Sequence, residues 1–279
     1  MKRTHIINTL ALLTLSNTVA YAGTMSSEKA MEPTGKVYLG AFGGGGTISS
    51  VPVGQKGTAY FSDTSGGPLA VNSKGSLDKT SGWVAGGHIG YQGATRTLNH
   101  VDSHWSLAPS IELEGFYIGD VTLKGHEINN DTARLTEHDF LITLPMKTGV
   151  YLTNFVLQLN TPFSEKVHPY LGLGAGAAVV SITNATSIQT APEEPFNHFN
   201  SDTNDTGLSF AAQPKIGISV NLKNSMHLFA EYRFLYISAS DYTFGSTVYP
   251  GQHVATSNWN IKVHSKFYNF GTIGLQYDL

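Results

Sequence analysis

The chain contains no cysteine. A disulfide framework, a thiolate metal site and a lipid-bearing N-terminal cysteine are therefore excluded. Charge is scarce as well. Asp, Glu, Lys and Arg make up 13% of the 279 residues, about half the usual share. The formal net charge of −3 leaves no basic stripe for phosphates, so nucleic acid is not an expected partner. No run approaches the ~18 apolar residues of a membrane-spanning helix. Yet 41% of the residues are hydrophobic, and the chain holds 13 Tyr, 14 Phe and 30 Gly. The apolar residues must be spread in a pattern that a helix-based reading misses.

That pattern is plainest from Leu208 to Tyr236. Leu208, Phe210, Ala212, Pro214, Ile216, Ile218, Val220 and Leu222 share one parity, and Ser209, Gln213, Lys215, Ser219 and Asn221 share the other. After Lys223-Asn224-Ser225, Met226, Leu228, Ala230, Tyr232, Phe234 and Tyr236 alternate with His227, Glu231 and Arg233. Period-two alternation puts successive side chains on opposite faces of a strand. Soluble strands run about five or six residues. A membrane-spanning strand needs about 9–11, apolar outside and polar inside. The stretch reads as one hairpin of a transmembrane β-barrel.

The rest of the chain fits this reading. Residues 1–22 pass from Lys2 and Arg3 through an apolar run to Ala20-Tyr21-Ala22, the three parts of a secretory signal peptide in order, with cleavage expected after Ala22. A polar periplasmic tail follows over 23–35. Eight alternating segments are then expected, at 36–47, 81–92, 106–119, 140–157, 168–183, 208–222, 226–236 and 264–279. The fourth is read with Phe140, Ile142, Leu144, Met146, Val150, Leu152 and Val156 outward and Lys147 inward. Four long polar connections, 48–80, 120–137, 184–206 and 239–263, follow every other segment. The expected fold is an all-β, eight-stranded antiparallel up-and-down barrel over 36–279. Long loops face outside the cell and both termini lie in the periplasm. Ending at Leu279 leaves no C-terminal cell-wall-binding domain in this expectation.

PYLGLGAGAA (Pro169–Ala178), IGISVNLKNSMHLFAEYRFLY (Ile216–Tyr236) and NFGTIGLQYDL (Asn269–Leu279) resemble the last strands of opacity-type outer-membrane β-barrels, the eight-stranded group that includes the OmpA transmembrane domain. The resemblance covers the segments from about Phe140 onward. Gly274, Tyr277 and Leu279 look like the C-terminal signal read by the barrel-assembly machinery, with Leu in place of the usual Phe. The resemblance implies an integral protein of the Gram-negative outer membrane, embedded in lipid and lipopolysaccharide, with roles in envelope integrity or adhesion.

Eight strands leave a lumen that side chains can fill. The inward set contains Glu112, Glu114 and Glu231 against Lys147, Lys215 and Arg233, a neutral network expected to plug the barrel; an ion path is the alternative. Gly172, Gly174 and Gly176 read as room for Tyr38 and Phe42 opposite, not as a phosphate cradle, since no P-loop lysine follows. Neither His138-Asp139 nor His264-Ser265 can act as a catalytic pair on one face, because neighbours on a strand point apart. His100, Asp102 and His104 form an incomplete metal-ligand set. No cofactor motif is present, and Asn-x-Ser/Thr at Asn130, Asn184 and Asn204 carries little meaning in a bacterial chain. The expected function is non-enzymatic: structural support, or binding of a host or surface ligand through the long loops. A small pore and a lipid A-modifying enzyme remain as alternatives.

Overall fold

The computed structural model describes residues 35–98, 105–130, 132–192 and 195–279. The expected signal peptide, with Ala20 and Ala22, and the His100, Asp102, His104 set lie outside these residues. The strands are, in chain order, β1 (Lys36–Ile48), β2 (Val51–Ala59), β3 (Leu69–Leu77), β4 (Thr80–Gln92), β5 (Arg96–Thr97), β6 (Ser106–Asn129), β7 (Asp139–Asn160), β8 (Val167–Ile182), β9 (Thr186–Ala191), β10 (Asp205–Asn221), β11 (Met226–Ile237), β12 (Ser240–Phe244), β13 (Trp259–Val263) and β14 (Lys266–Asp278). Among the described residues there is no α-helix.

Eight of these strands close a ring. β1 pairs with β4, β4 with β6, β6 with β7, β7 with β8, β8 with β10, β10 with β11 and β11 with β14, all antiparallel. β14 returns to β1 from Tyr38↔Asp278 to Ile48↔Tyr268. The ring therefore has no open edge. Outward side chains are apolar and exposed, Leu113, Phe155, Leu173, Ile216 and Ile273 among them. Aromatic side chains mark the two margins of this belt. Tyr91 and Tyr277 lie beside Val37 and Leu39 at one margin, while Trp83 touches Tyr117 and Tyr236 touches Phe267 at the other. In the lower lumen the inward positions Glu112, Glu114, Gln213, Lys215, Glu231 and Arg233 are polar and buried, as the alternation predicts, while Phe116, Phe229, Leu235 and Ile237 on the same strands are inward and apolar.

The fourth expected segment has the opposite parity. In β7 Phe140, Ile142, Leu144, Met146, Val150, Leu152 and Val156 are buried, while Lys147, Tyr151, Thr153 and Phe155 face outward. Both faces of β7 carry apolar residues, so hydrophobicity alone does not fix its register. The inner row wins because its upper half enters an apolar core.

That core belongs to a second layer. The long connections carry strands of their own, and β6 continues past a bulge between Ile118 and Val121 to Asn129. β12, β13, β2, β3, the upper parts of β6 and β7, and β9 pair in that order. They form a dome on the barrel, at the end away from Lys36 and Leu279. Val51, Val53, Val71, Leu77, Leu123, Ile142, Phe244, Ile261 and Val263 fill its interior. The gap between β9 and β12 is spanned by residues 195–203: His198 N donates to Ser187 O, and Gly245 N donates to Asp202 O.

Glycine serves close approach in the barrel wall. A Cβ on Gly46 would lie 1.9 Å from the Asn269 carbonyl oxygen, whereas one on Gly271 meets nothing within 4 Å. Gly46→Ala should cost about 1–3 kcal/mol in denaturant unfolding of the lipid-reconstituted protein. Gly271→Ala should match the wild type, and equal loss in both variants would contradict this packing.

Candidate functional site

All eight ring strands send side chains to one buried cluster in the lower lumen. Glu112 and Glu114 come from β6, Lys215 from β10, and Glu231 and Arg233 from β11. Lys215 Nζ lies 2.6 Å from Glu112 Oε2 and 3.4 Å from both Glu114 Oε2 and Glu231 Oε1. Arg233 donates to Glu114 Oε1 at 2.7 Å and from Nε to Glu231 Oε2 at 2.6 Å. Its guanidinium lies 3.7 Å from the centre of the Phe42 ring of β1, a cation–π contact in a desolvated place. Tyr38 of β1 donates to Glu112 and Tyr170 of β8 to Glu231, at 3.0 and 2.7 Å. Gln213 donates to Glu114, Asn154 of β7 lies within 3.4 Å of Glu112 and Glu114, and Thr272 of β14 reaches Glu231. His88 of β4 completes the ring of contributors, packed edge-on against Tyr38.

Lys147 is absent from this cluster, being exposed on the outer face of β7. Three carboxylates therefore face two cations instead of three. Hydroxyl and amide donors supply the further hydrogen bonds that buried carboxylates need. Gly172 and Gly174 of β8 make room for the cluster rather than for Tyr38 and Phe42, and Gly176 lies against the Tyr151 carbonyl. A Cβ on Gly172 would touch Lys215, and one on Gly174 would touch Asn154. His88, Glu112 and Glu114 bring ligand atoms within 4.8 Å of one another, but Lys215 and Arg233 already hold both carboxylates. A space of ≈ 30 Å³ beside Tyr38, His88 and Glu231 has room for about one or two waters.

The dome holds a second site. Each of the four long connections contributes to a cavity of ≈ 210 Å³. Phe61 comes from the first, Leu135 from the second with His138 and Phe140 just beyond its end, Gln189 and His198 from the third, and His253 and Trp259 from the fourth. His198 lies between Thr247 Oγ1 at 3.0 Å and Gln189 Oε1 at 3.2 Å. Trp259 Nε1 donates to Thr247 Oγ1 at 3.2 Å. With a proton on His198 Nε2, the ring donates to the amide oxygen and its Nδ1 competes with the His198 carbonyl, 3.2 Å away, for the single proton of the Thr247 hydroxyl. Burial, helped by His253 and His138, holds His198 down at about 3, so the ring is neutral. The amide nitrogen of Gln189 is buried without a partner.

The sequence-level pairs are split by the structure. His138 Nδ1 bonds to the Thr136 carbonyl at 2.7 Å, while Asp139 pairs with His126 at 2.9 Å. Ser265 lies 3.2 Å from the Tyr236 hydroxyl, and His264 is exposed beside it. Ser76 sits across from His126 on β3 but donates to the Leu77 carbonyl. Gly274 packs its backbone against the Phe229 ring, Tyr277 is exposed outward, and Leu279 N donates to Val37 O. Asn130, Asn184 and Asn204 sit in the connections, where Asn130 accepts from Asn72 N and Asn204 from Asn184 N.

No protein-family model matches the chain, and no curated protein matches it. Three solved structures are similar in outline. The outer membrane protease OmpT from Escherichia coli is 8% identical, with a TM-score of 0.40, covering 91% of this chain and 99% of that one. A Pseudomonas aeruginosa FadL homologue is 7% identical, with a TM-score of 0.22, covering 87% and 90%. The translocator domain of the autotransporter NalP from Neisseria meningitidis is 9% identical, with a TM-score of 0.16, covering 83% and 88%. At these values none of them bears on activity.

Two outcomes follow from the geometry. Arg233→Ala leaves Glu114 and Glu231 without their shared cation and should cost about 3–5 kcal/mol in denaturant unfolding; a loss under 1 kcal/mol would contradict the cluster. In the dome, Glu127 is fully buried with one hydrogen bond, from Ser73 at 2.8 Å, and burial pushes its carboxyl up to about 7. An acid with a raised folded pKa holds its proton better folded than unfolded. Stability is then greatest in acid and falls as pH climbs from about 4.5 to about 7, by about 2–3 kcal/mol. Glu127→Gln should flatten that slope in unfolding followed by tryptophan fluorescence; parallel pH curves would contradict the assignment.

Proposed function

We propose that this chain is an integral β-barrel of the Gram-negative outer membrane whose lumen is sealed and whose dome stands outside the cell as a non-enzymatic binding or adhesion structure. The observation that carries the reading is the pairing of an apolar, aromatic-edged outer face with a buried ionic cluster inside a ring without edges. Lipid offers no hydrogen-bond partners, so a spanning sheet must close on itself. Side chains that are exposed and greasy all round the ring would be a liability in water and are at home in hydrocarbon.

Sealing is favoured over conduction because the cluster bridges every strand and leaves room for only a water or two beside it. Against the enzyme reading, His138 is held by a backbone carbonyl and Asp139 pairs with His126 instead of with its neighbour His138. In favour of binding, the four connections build a cored dome with a shared cavity instead of simple turns. Its partners in the membrane are then lipid and lipopolysaccharide around the belt, and the barrel-assembly machinery at Gly274, Tyr277 and Leu279. A host or surface ligand would meet the dome.

Protease added to intact cells should cut at the exposed turn Ser62–Gly66, while the belt strands survive. Complete protection would overturn the orientation. In planar bilayers the wild type should be silent and Arg233→Ala should conduct; steady wild-type conductance would favour the pore.

A further inference from the structure

We propose that the dome cavity is a binding site for a neutral, planar, bicyclic aromatic molecule carrying one hydrogen-bond acceptor and one donor. The inference rests on the reading of the dome as the binding end and adds the chemistry of the ligand.

Size comes first. An apolar cavity of about 150 Å³ accepts benzene, so ≈ 210 Å³ suits two fused rings. Shape comes next. Phe61, Phe140 and Trp259 give aromatic walls, with His198 edge-on to both Phe140 and Trp259 at ring separations of 5.1 and 5.5 Å. Flat faces stack and edges meet edges in such a site.

Polarity then selects the substituents. The Gln189 side chain is almost wholly buried and its Nε2 lacks an acceptor. Leaving such a donor unsatisfied is costly, so an acceptor on the ligand is rewarded there. His253 Nδ1 is engaged by the Val254 carbonyl and His138 Nδ1 by the Thr136 carbonyl, each at 2.7 Å. Carbonyls only accept, so Nδ1 is the donor in each ring, and in the neutral tautomer with that proton Nε2 is an acceptor. Neither Nε2 has a partner among the described residues. A ligand N–H or O–H meets that need.

Charge is excluded by the lining. It contains no carboxylate to hold a cation and no Lys or Arg to hold an anion. No three of these imidazoles bring their ligand atoms within 4.8 Å of one another among the described residues. Gln252 is exposed and His253 and Val254 are partly exposed, so the cavity is open to solvent along these residues.

The test is calorimetric titration of the full-length protein in lipid nanodiscs with 2-quinolinone, a fused-ring lactam with adjacent donor and acceptor. Saturable 1:1 binding is expected. N-methyl-2-quinolinone, which lacks the donor, and naphthalene, which lacks both groups, should bind about tenfold or more weakly. Gln189→Leu keeps the size of the site and should weaken 2-quinolinone by about tenfold. Ala59→Phe fills the cavity from its wall and Val254→Trp narrows its rim; both should abolish saturable binding. Heat uptake equal in the wild type and the filled variants, or no saturation in the wild type, would overturn the proposal. Gel migration of heated against unheated samples separates the two readings. A retained shift without binding sinks the ligand alone, and no shift in the wild type sinks the barrel reading beneath it.

Discussion

The structure depends on one seam, the antiparallel pairing of β1 with β14. Those two strands come from opposite ends of the described chain, and their bonds from Tyr38↔Asp278 to Ile48↔Tyr268 turn a sheet into a ring. Without the seam, β1 and β14 would each present a row of unpaired amides and carbonyls. Such an edge invites aggregation in water and is excluded in hydrocarbon. Glycine makes the seam possible. Gly44 and Gly46 approach the β14 backbone where a side chain would collide with it. Lys36 and Asp278, 3.2 Å apart, fasten its lower end with a salt bridge.

Closure creates an interior, and the interior is divided. Its lower half is polar, centred on Lys215 and Arg233 between three glutamates. Its upper half is a dry core that runs from Ile48 and Phe140 into the dome. The two halves ask opposite things of an inward side chain. The lower one needs partners for every charge, because a buried unpaired charge costs several kcal/mol. The upper one needs volume and shape. β7 passes through both, which is why its inward row begins with Phe140 and Ile142 and ends at Asn154 and Val156. A single rule of polar inside and apolar outside fails on that strand.

Where the two faces of a strand differ in chemistry, the alternation could be read directly. β10, β11 and β14 carry apolar residues on one side and Lys215, Glu231, Arg233 or Thr272 on the other, and β6 sets Leu113 against Glu112 and Glu114, so facing was legible there, and with it five of the six charges expected in the lumen. Lys147 was misplaced because Tyr151, Phe155 and Leu157 on its own face are as apolar as Val150, Leu152 and Val156 opposite. The dome was passed over because Gly, Ser and Thr dominate its connections. Its signal was still present in short alternations: Val51-x-Val53, Leu69-x-Val71 and Trp259-x-Ile261-x-Val263. Each is only a few residues long, and what makes them strands is pairing with β6 and with one another. The cavity had no local signature, since its walls come from four connections distant in sequence.

Because the chain has no native cysteine, single cysteines can report which surface lipid touches. Nitroxide labels at Ile216 and Leu275, in protein reconstituted into bilayers, should collide readily with dissolved oxygen and poorly with a water-soluble nickel complex, while labels at the neighbouring inward positions Ser219 and Thr272 should be shielded from both. Water contact at Ile216 and Leu275, or lipid contact at Ser219 and Thr272, would contradict a closed barrel that faces hydrocarbon outside and buries its charges within.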